Sequence, residues 1–284
     1  MAGASIQHVR VAGIAASVPK RVEENAHSEL LSEDERRRVM QSTGIERRHT
    51  ASDQMCTSDL CVAAAEALLD ELKWNRDEIT AIVFVTQTPD YVLPATAVVM
   101  QDRLKLPKTA LALDVNLGCS GYVYGLQVLA SLLSAGGLAK GLLLVGDTIS
   151  RTTSARDRSV APLFGDGGSA TALEFADDAH PMHFDFGSDG SGSEVIMIPH
   201  GAMRNPFSER SLVVADVSEG VARNGCQLAL DPMEVFNFSI RAVPKTVQNA
   251  LALAGRTVEE IDAFVFHQAN LFMNEVIRKK LKIP

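Results

Sequence analysis

Short β-rich runs alternate with helical patterns along most of this chain, and no other feature constrains its fold as strongly. That alternation is the pattern of helices packed on a mostly parallel sheet, an α/β architecture. In the first half, strands are expected over His8–Ala16, Ala81–Thr86, Ala110–Val115, Gly141–Val145 and Ser169–Phe175, and helices over Ser58–Leu72, Ala95–Leu104 and Gly121–Ala135. The second half replays part of this order, with strands near Glu194–Pro199 and Ile261–Phe266 and helices over Pro232–Leu253 and Asn270–Leu281. The runs Ala81–Thr86 and Asp262–His267 look alike, and each follows an acidic helix end, Asp77-Glu78-Ile79 or Glu259-Glu260-Ile261. This points to an internal duplication with halves at 1–176 and 177–284. Between them, Phe184–Ser193 reads as a glycine- and serine-rich surface turn.

At 284 residues and 46% hydrophobic, the chain can bury a large core. Its 35 acidic and 27 basic residues give a net charge of −8, which argues against a nucleic-acid-binding surface. Residues Met1 to Arg10 lack a basic cluster followed by an apolar core, and no stretch approaches the ~18 apolar residues of a membrane span. A cytoplasmic protein is expected. The cysteines at 56, 61, 119 and 226 show neither zinc-site spacing nor a disulfide framework. His180 and His183 lack thiolate or carboxylate company beyond Asp185, so no metal is expected. The glycines of Phe164–Ser169 precede a strand and match no phosphate-binding motif; they read as a turn with close backbone packing.

One cysteine stands apart. Asp114-Val115-Asn116-Leu117-Gly118-Cys119-Ser120-Gly121 is an apolar run ending in glycines around a thiol, and the residues after it have helical spacing. Cys119 therefore falls where a strand hands over to a helix, and a helix N-terminus favours thiolate over thiol. Gly118 and Gly121 are expected to leave room for a close approach to the sulfur. A small buried hydrophobe is the alternative reading. His267-Gln268-Ala269-Asn270 ends the Ile261–Phe266 run, and a histidine at the carboxyl end of a strand is where active-site groups collect in α/β sheets. A half-buried structural histidine is again the alternative. Cys119 and His267 occupy equivalent strand-to-helix turns of the two halves, and packed as pseudo-symmetric partners they would form an activated Cys–His pair.

These residues resemble the ketoacyl-ACP synthase III group of the thiolase-like condensing enzymes. The matching segments are Ser42–Arg48, Asp114–Tyr122, Asp157-Arg158, Phe164–Gly167 and His267–Asn270, in one order over nearly the whole chain. The resemblance implies a layered αβαβα fold of two duplicated halves and a homodimer. It implies that Cys119 takes an acyl group from acyl-CoA or acyl-ACP, and that malonyl-ACP then loses carbon dioxide and attacks it. His267 would stabilise the enolate, with no cofactor and no metal. Arg158, Leu93, Phe164, Gln268 and Asn270 would contact substrate, and Lys279 and Lys280 would dock the acyl carrier protein.

The departures shape further expectations. Arg38 and Ser42 stand where well-known members carry an adenine-holding Trp and Arg, so only Arg158 of that set is matched and a protein-bound donor stays open. Leu93 stands where a pocket-filling Phe is common, which predicts a roomier acyl pocket. Phe272 replaces a frequent Arg. The sequence ends at Pro284 before a Gly-Asn-Thr-Ser loop and a triple glycine, so the C-terminal half is expected to lack its last part. An acyltransferase with a hydroxyl or amine acceptor and a noncatalytic partner subunit are the alternative functions.

Overall fold

The computed structural model describes residues 2–284. In chain order, the first half carries β1 (Ala2–Ile6), β2 (Val9–Ser17), β3 (Arg21–Glu24), α1 (Glu33–Thr43), β4 (Arg47–Thr50), α2 (Thr57–Leu72), β5 (Ile79–Val85), α3 (Thr96–Arg103), β6 (Leu111–Val115), α4 (Gly121–Ser134), β7 (Lys140–Asp147) and β8 (Gly167–Phe175). The second carries β9 (Met182–Phe186), β10 (Ile196–Met197), β11 (Ala215–Ser218), β12 (Val221–Arg223), β13 (Ala229–Leu230), α5 (Pro232–Ala254) and α6 (Leu271–Leu281).

The main sheet has the order β2-β8-β7-β5-β6. Its centre is parallel, β5 with β6 and with β7, whereas β8 runs antiparallel to both β7 and β2. The expected mostly parallel sheet is therefore mixed. Both faces of β5 are apolar because both are covered. Ile82 and Phe84 meet Leu68 and Leu69 of α2 and Met100 of α3, while Ala81, Val83 and Val85 meet Leu129, Ala130 and Leu133 of α4. Beyond α4 lies a second, two-stranded sheet in which β1 pairs antiparallel with β9, Ala2 opposite Phe186. Ile6 and Phe184 join the α4 core, and α5 packs on the far side of this sheet. The layers run α2/α3, sheet, α4, sheet, α5, the expected αβαβα order.

Three elements differ from expectation. Phe184–Phe186 belongs to β9, because Phe184 faces the core while the turn chemistry begins only at Gly187. The strand expected near Glu194–Pro199 shrinks to Ile196–Met197, paired with β13. Ile261–Phe266 forms no strand: no strand runs beside it among the described residues, and a lone extended run has no ladder to join. Its local setting still mirrors that of β5. Each follows a long helix ended by a left-handed residue, Lys73 or Gly255, and then a short 3-10 turn, Arg76–Glu78 or Val258–Glu260.

Two motif carboxylates tie this frame together. Asp114 accepts from the backbone N–H groups of Thr96 and Ala97, both at 2.7 Å, and so holds the N-terminus of α3 to the end of β6. Asp166 accepts from the N–H groups of Ala51 (2.6 Å) and Ser150 (2.9 Å). The close packing expected of the neighbouring glycines is present: a Cβ on Gly168 would lie 2.6 Å from the backbone nitrogen of Cys61 in α2. Cys61 is a core residue, and burial pushes its thiol up to about 12. Gly168→Ala is expected to lower stability by about 1–3 kcal/mol, because backbone cannot yield as a side chain would; thermal unfolding measures it.

Candidate active site

Cys119 sits one residue before the N-cap of α4, past the carboxyl end of β6. Gly118 and Gly121 do not leave open room there. A Cβ on Gly118 would lie 2.3 Å from Oε1 of Gln87, and one on Gly121 2.7 Å from Val85, so the glycines let the loop press onto the end of β5. The cysteine is exposed, yet the surrounding strand ends strip water from its sulfur. That desolvation pushes the thiol above its ordinary value, its own backbone N–H pulls it down, and the Asp147 carboxylate pushes it up again. Desolvation and Asp147 thus act against the preference for thiolate expected at the helix start.

Asp147 ends β7, beside β5. Its Oδ1 accepts from the Thr86 hydroxyl (2.9 Å), the Gln87 N–H (2.7 Å), the Thr88 N–H (3.1 Å) and the Thr88 hydroxyl (3.0 Å). Thr88 is also hydrogen-bonded to Thr57 (2.7 Å) and accepts from the Thr148 N–H (2.9 Å). Desolvation raises the Asp147 carboxyl above the usual range against the pull of these donors.

His267 follows the extended Ile261–Phe266 segment and precedes α6. Its carbonyl accepts from the Ala269 N–H (3.0 Å) and the Asn274 amide (3.2 Å), while its ring nitrogens have no hydrogen-bond partner among the described residues. The ring lies at the surface but is crowded by protein, and desolvation lowers its pKa, leaving a neutral imidazole with a free N–H. A cleft of about 530 Å³ is lined by Thr43 to Arg47 and by Gln268, Asn270 and Leu271, the residues that follow His267, which is itself not among the lining residues. Two matched motifs, far apart in sequence, thus meet in one cavity. Cys119 is not among the residues lining this cleft, and no hydrogen bond joins it to His267.

The remaining sequence candidates are already engaged by protein. Arg158 donates to Glu35 at 2.9 Å, and its side chain lies against Gly220. Phe164 is half-buried and offers its carbonyl to Arg48 at 2.9 Å. Asn270 is the N-cap of α6, accepting from the Met273 N–H at 2.7 Å, and Gln268 donates to the Phe266 carbonyl at 3.0 Å. Lys279 and Lys280 are both exposed, and Lys280 donates to the Ile240 carbonyl at 2.9 Å. Leu93 protrudes at 84% exposure. Sequence reasoning missed Gln87 and Asp147, although an Asp at the carboxyl end of the apolar run Gly141–Val145 is the same signal that singled out His267.

The family model for 3-oxoacyl-[acyl-carrier-protein] synthase III matches residues 113–190, the stretch that holds Cys119, Asp147 and Arg158. The beta-ketoacyl-[acyl-carrier-protein] synthase III 2 of Streptomyces coelicolor is 32% identical over 277 residues, covering 96% of this chain and 76% of the relative. A crystal structure of a 3-oxoacyl-(acyl-carrier protein) synthase from Burkholderia xenovorans LB400 superposes with a TM-score of 0.91 at 41% identity, over 99% of this chain and 79% of that one. A second solved 3-oxoacyl-(acyl-carrier-protein) synthase III gives a TM-score of 0.92 at 39% identity, covering 98% and 83%. The fold is thiolase-like, with a cysteine at its strand-to-helix junction. The chain belongs to the 3-oxoacyl-ACP synthase III family of condensing enzymes. The expected shortfall in the C-terminal half is not borne out by these matches, which give the share of each relative covered and not the place of the remainder.

Two outcomes follow from this geometry. Asn270→Ala should cost about 1 kcal/mol and Asn270→Asp should restore it, as a cap requires; chemical denaturation separates them. The unfolded chain protonates His267 near pH 6.5, about its ordinary value, while the folded protein resists that proton. Stability should therefore fall as pH drops through and below that value, and His267→Gln should flatten the decline in a pH series of unfolding curves.

Proposed function

We propose that Cys119 accepts an acyl group from acyl-CoA or an acyl carrier protein, and that the acyl-enzyme condenses with malonyl-ACP to give 3-oxoacyl-ACP. The observation that supports this reading is the neutral imidazole of His267, without a hydrogen-bond partner among the described residues, directly before Gln268 and Asn270, which line a cleft together with Thr43 to Arg47. In the first half-reaction the Cys119 sulfur replaces the donor thiol, which leaves with the proton. In the second, the C–C bond to the malonyl carboxylate breaks, carbon dioxide leaves, and the electron pair becomes an enolate that attacks the acyl thioester. Cys119 is then released and regains a proton. The His267 N–H donates to the thioester oxygen as its charge grows, a transition-state contact. The steps are redox-neutral, so the reading calls for no redox cofactor.

The finer assignments rest on placement. Lys279, exposed on α6, is the cation offered to an acidic carrier protein, with Lys280 held back by Ile240. Tyr91, Val92 and Leu93 form a protruding apolar stretch at 60, 92 and 84% exposure, which a second copy would cover in a homodimer. Leu93 would then shape the partner's acyl pocket. No helix among the described residues is long and apolar enough to cross a membrane, in keeping with a cytoplasmic enzyme.

Incubation with acyl donors should give an intact-mass adduct that Cys119→Ala abolishes. Malonyl-ACP should release carbon dioxide, and His267→Ala should slow that release by about 10²–10³-fold. An acyl adduct without carbon dioxide release would instead assign transfer to a hydroxyl or amine acceptor.

A further inference from the structure

The cleft has two walls from distant parts of the chain. One is the turn that leads into α6, with Gln268 and Asn270; the other is Thr43 to Arg47, where α1 hands over to β4. They meet at Gly44, on which a Cβ would lie 3.3 Å from that of Leu271. The α6 wall is held by its own helix cap at Asn270. Gly44, Ile45 and Glu46 belong to neither helix nor strand, and a side chain outside the cleft holds them. That side chain is Asn25, fully buried directly after β3. Its amide donates to the Ile45 carbonyl at 2.8 Å and to the Pro162 carbonyl at 2.9 Å, and its backbone N–H donates to the Glu46 carbonyl at 2.8 Å.

The segment that Asn25 reaches on its other side is itself fixed. The β3–β4 hairpin, in which Glu23 lies opposite Arg48, grips residues 164–166 along its edge. Arg48 donates to the Phe164 carbonyl at 2.9 Å, the Asp166 N–H donates to the His49 carbonyl at 2.8 Å, and the Ala51 N–H donates to the Asp166 carboxylate at 2.6 Å. Asn25 therefore ties the irregular cleft wall to a braced part of the frame. Its Oδ1 is buried and accepts no hydrogen bond among the described residues. An interior amide with an unpaired acceptor gives back part of what its donors gain. Stability alone does not account for an asparagine there, and such exceptions gather at functional sites.

We propose that Asn25 is a positioning residue for substrate binding: by joining Ile45 and Pro162 through one amide, it fixes the wall of the cleft that takes the malonyl-bearing arm of the carrier protein. The choice of substrate rests on the condensing reading, in which His267 acts on the malonyl thioester and is followed at once by Gln268 and Asn270 of the same cleft. Without the Asn25 side chain the backbone bond to Glu46 remains, but the Ile45 carbonyl is released and the wall shifts against Gln268 and Asn270. Neither Cys119 nor His267 lines the cleft. Ground state and transition state therefore lose the wall alike, which weakens binding and spares the chemical step.

Steady-state carbon dioxide release by the full chain, measured against malonyl-ACP concentration with the acyl donor saturating, tests this. Asn25→Ala is expected to raise KM for malonyl-ACP about tenfold and to leave kcat within about twofold. Asn25→Ser, whose hydroxyl has one proton to donate and can keep one of the two carbonyls, should fall between. An unchanged KM overturns the proposal, whatever happens to kcat; a lower kcat at unchanged KM is what a merely structural role would give, through a smaller active fraction. Should Asn25→Ala fail to fold, Asn25→Ser decides by the same criterion. Absence of carbon dioxide release from the wild type would end the condensing reading instead, and hydrogen exchange then decides on the tie itself. Exchange over Thr43 to Arg47 should quicken in the variant while β5 stays protected, and unchanged exchange there overturns the proposal.

Discussion

Three aspartates at the carboxyl edge of the main sheet hold the loops that the site is made from. Asp114 fixes the start of α3, Asp147 fixes the turn after β5, and Asp166 binds the end of β4 to the segment after β7. Each accepts several N–H or hydroxyl donors, and hydrogen bonds to a carboxylate are about twice as strong as neutral ones. Strand ends fray unless their backbone groups find partners. Carboxylates supply those partners at the edge where the chain must leave regular structure to build a site. The Asp of the Cys119 motif and the Asp of Phe164–Gly167 thus act as architecture beside the chemistry.

That arrangement separates the site's electrostatics from what a helix start alone would give. The dipole of α4 favours a thiolate at Cys119, which directly precedes the helix N-cap. Desolvation and the Asp147 charge act on the sulfur from the strand side. At His267 desolvation acts without opposition, because no carboxylate approaches the ring. At both groups desolvation disfavours the charged form.

The first half was legible in the sequence because period and burial agree there. β5 reads as a continuous apolar run since α2 and α4 cover opposite faces, and α2, α3 and α4 show unbroken helical spacing. The second half was legible only in its helices. Ile261–Phe266 has strand composition, but a strand is a property of pairs, and composition cannot supply a neighbour. The second sheet was missed for a related reason: β1 lies at the start of the chain and its partner β9 near residue 184, and neither segment alone signals that pairing. Within the site, Cys119 and His267 were visible from their strand-end positions. Asn270 was visible as a motif residue but not as a cap, and the Glu35 carboxylate that occupies Arg158 could not be foreseen from either residue.

The pairing of β1 with β9 also bears on how the molecule comes into being. Residues Ala2 to Ile6 leave the ribosome well before their partners, and the second sheet has no edge to offer until Phe186 has emerged. The main sheet, by contrast, draws all its strands from residues before Ala176. An unpaired strand is exposed to capture by other chains, and the small residues Ala2, Gly3, Ala4 and Ser5 leave β1 little apolar surface for such adhesion. The weak stickiness of β1 is thereby a feature of biosynthesis as much as of the folded state.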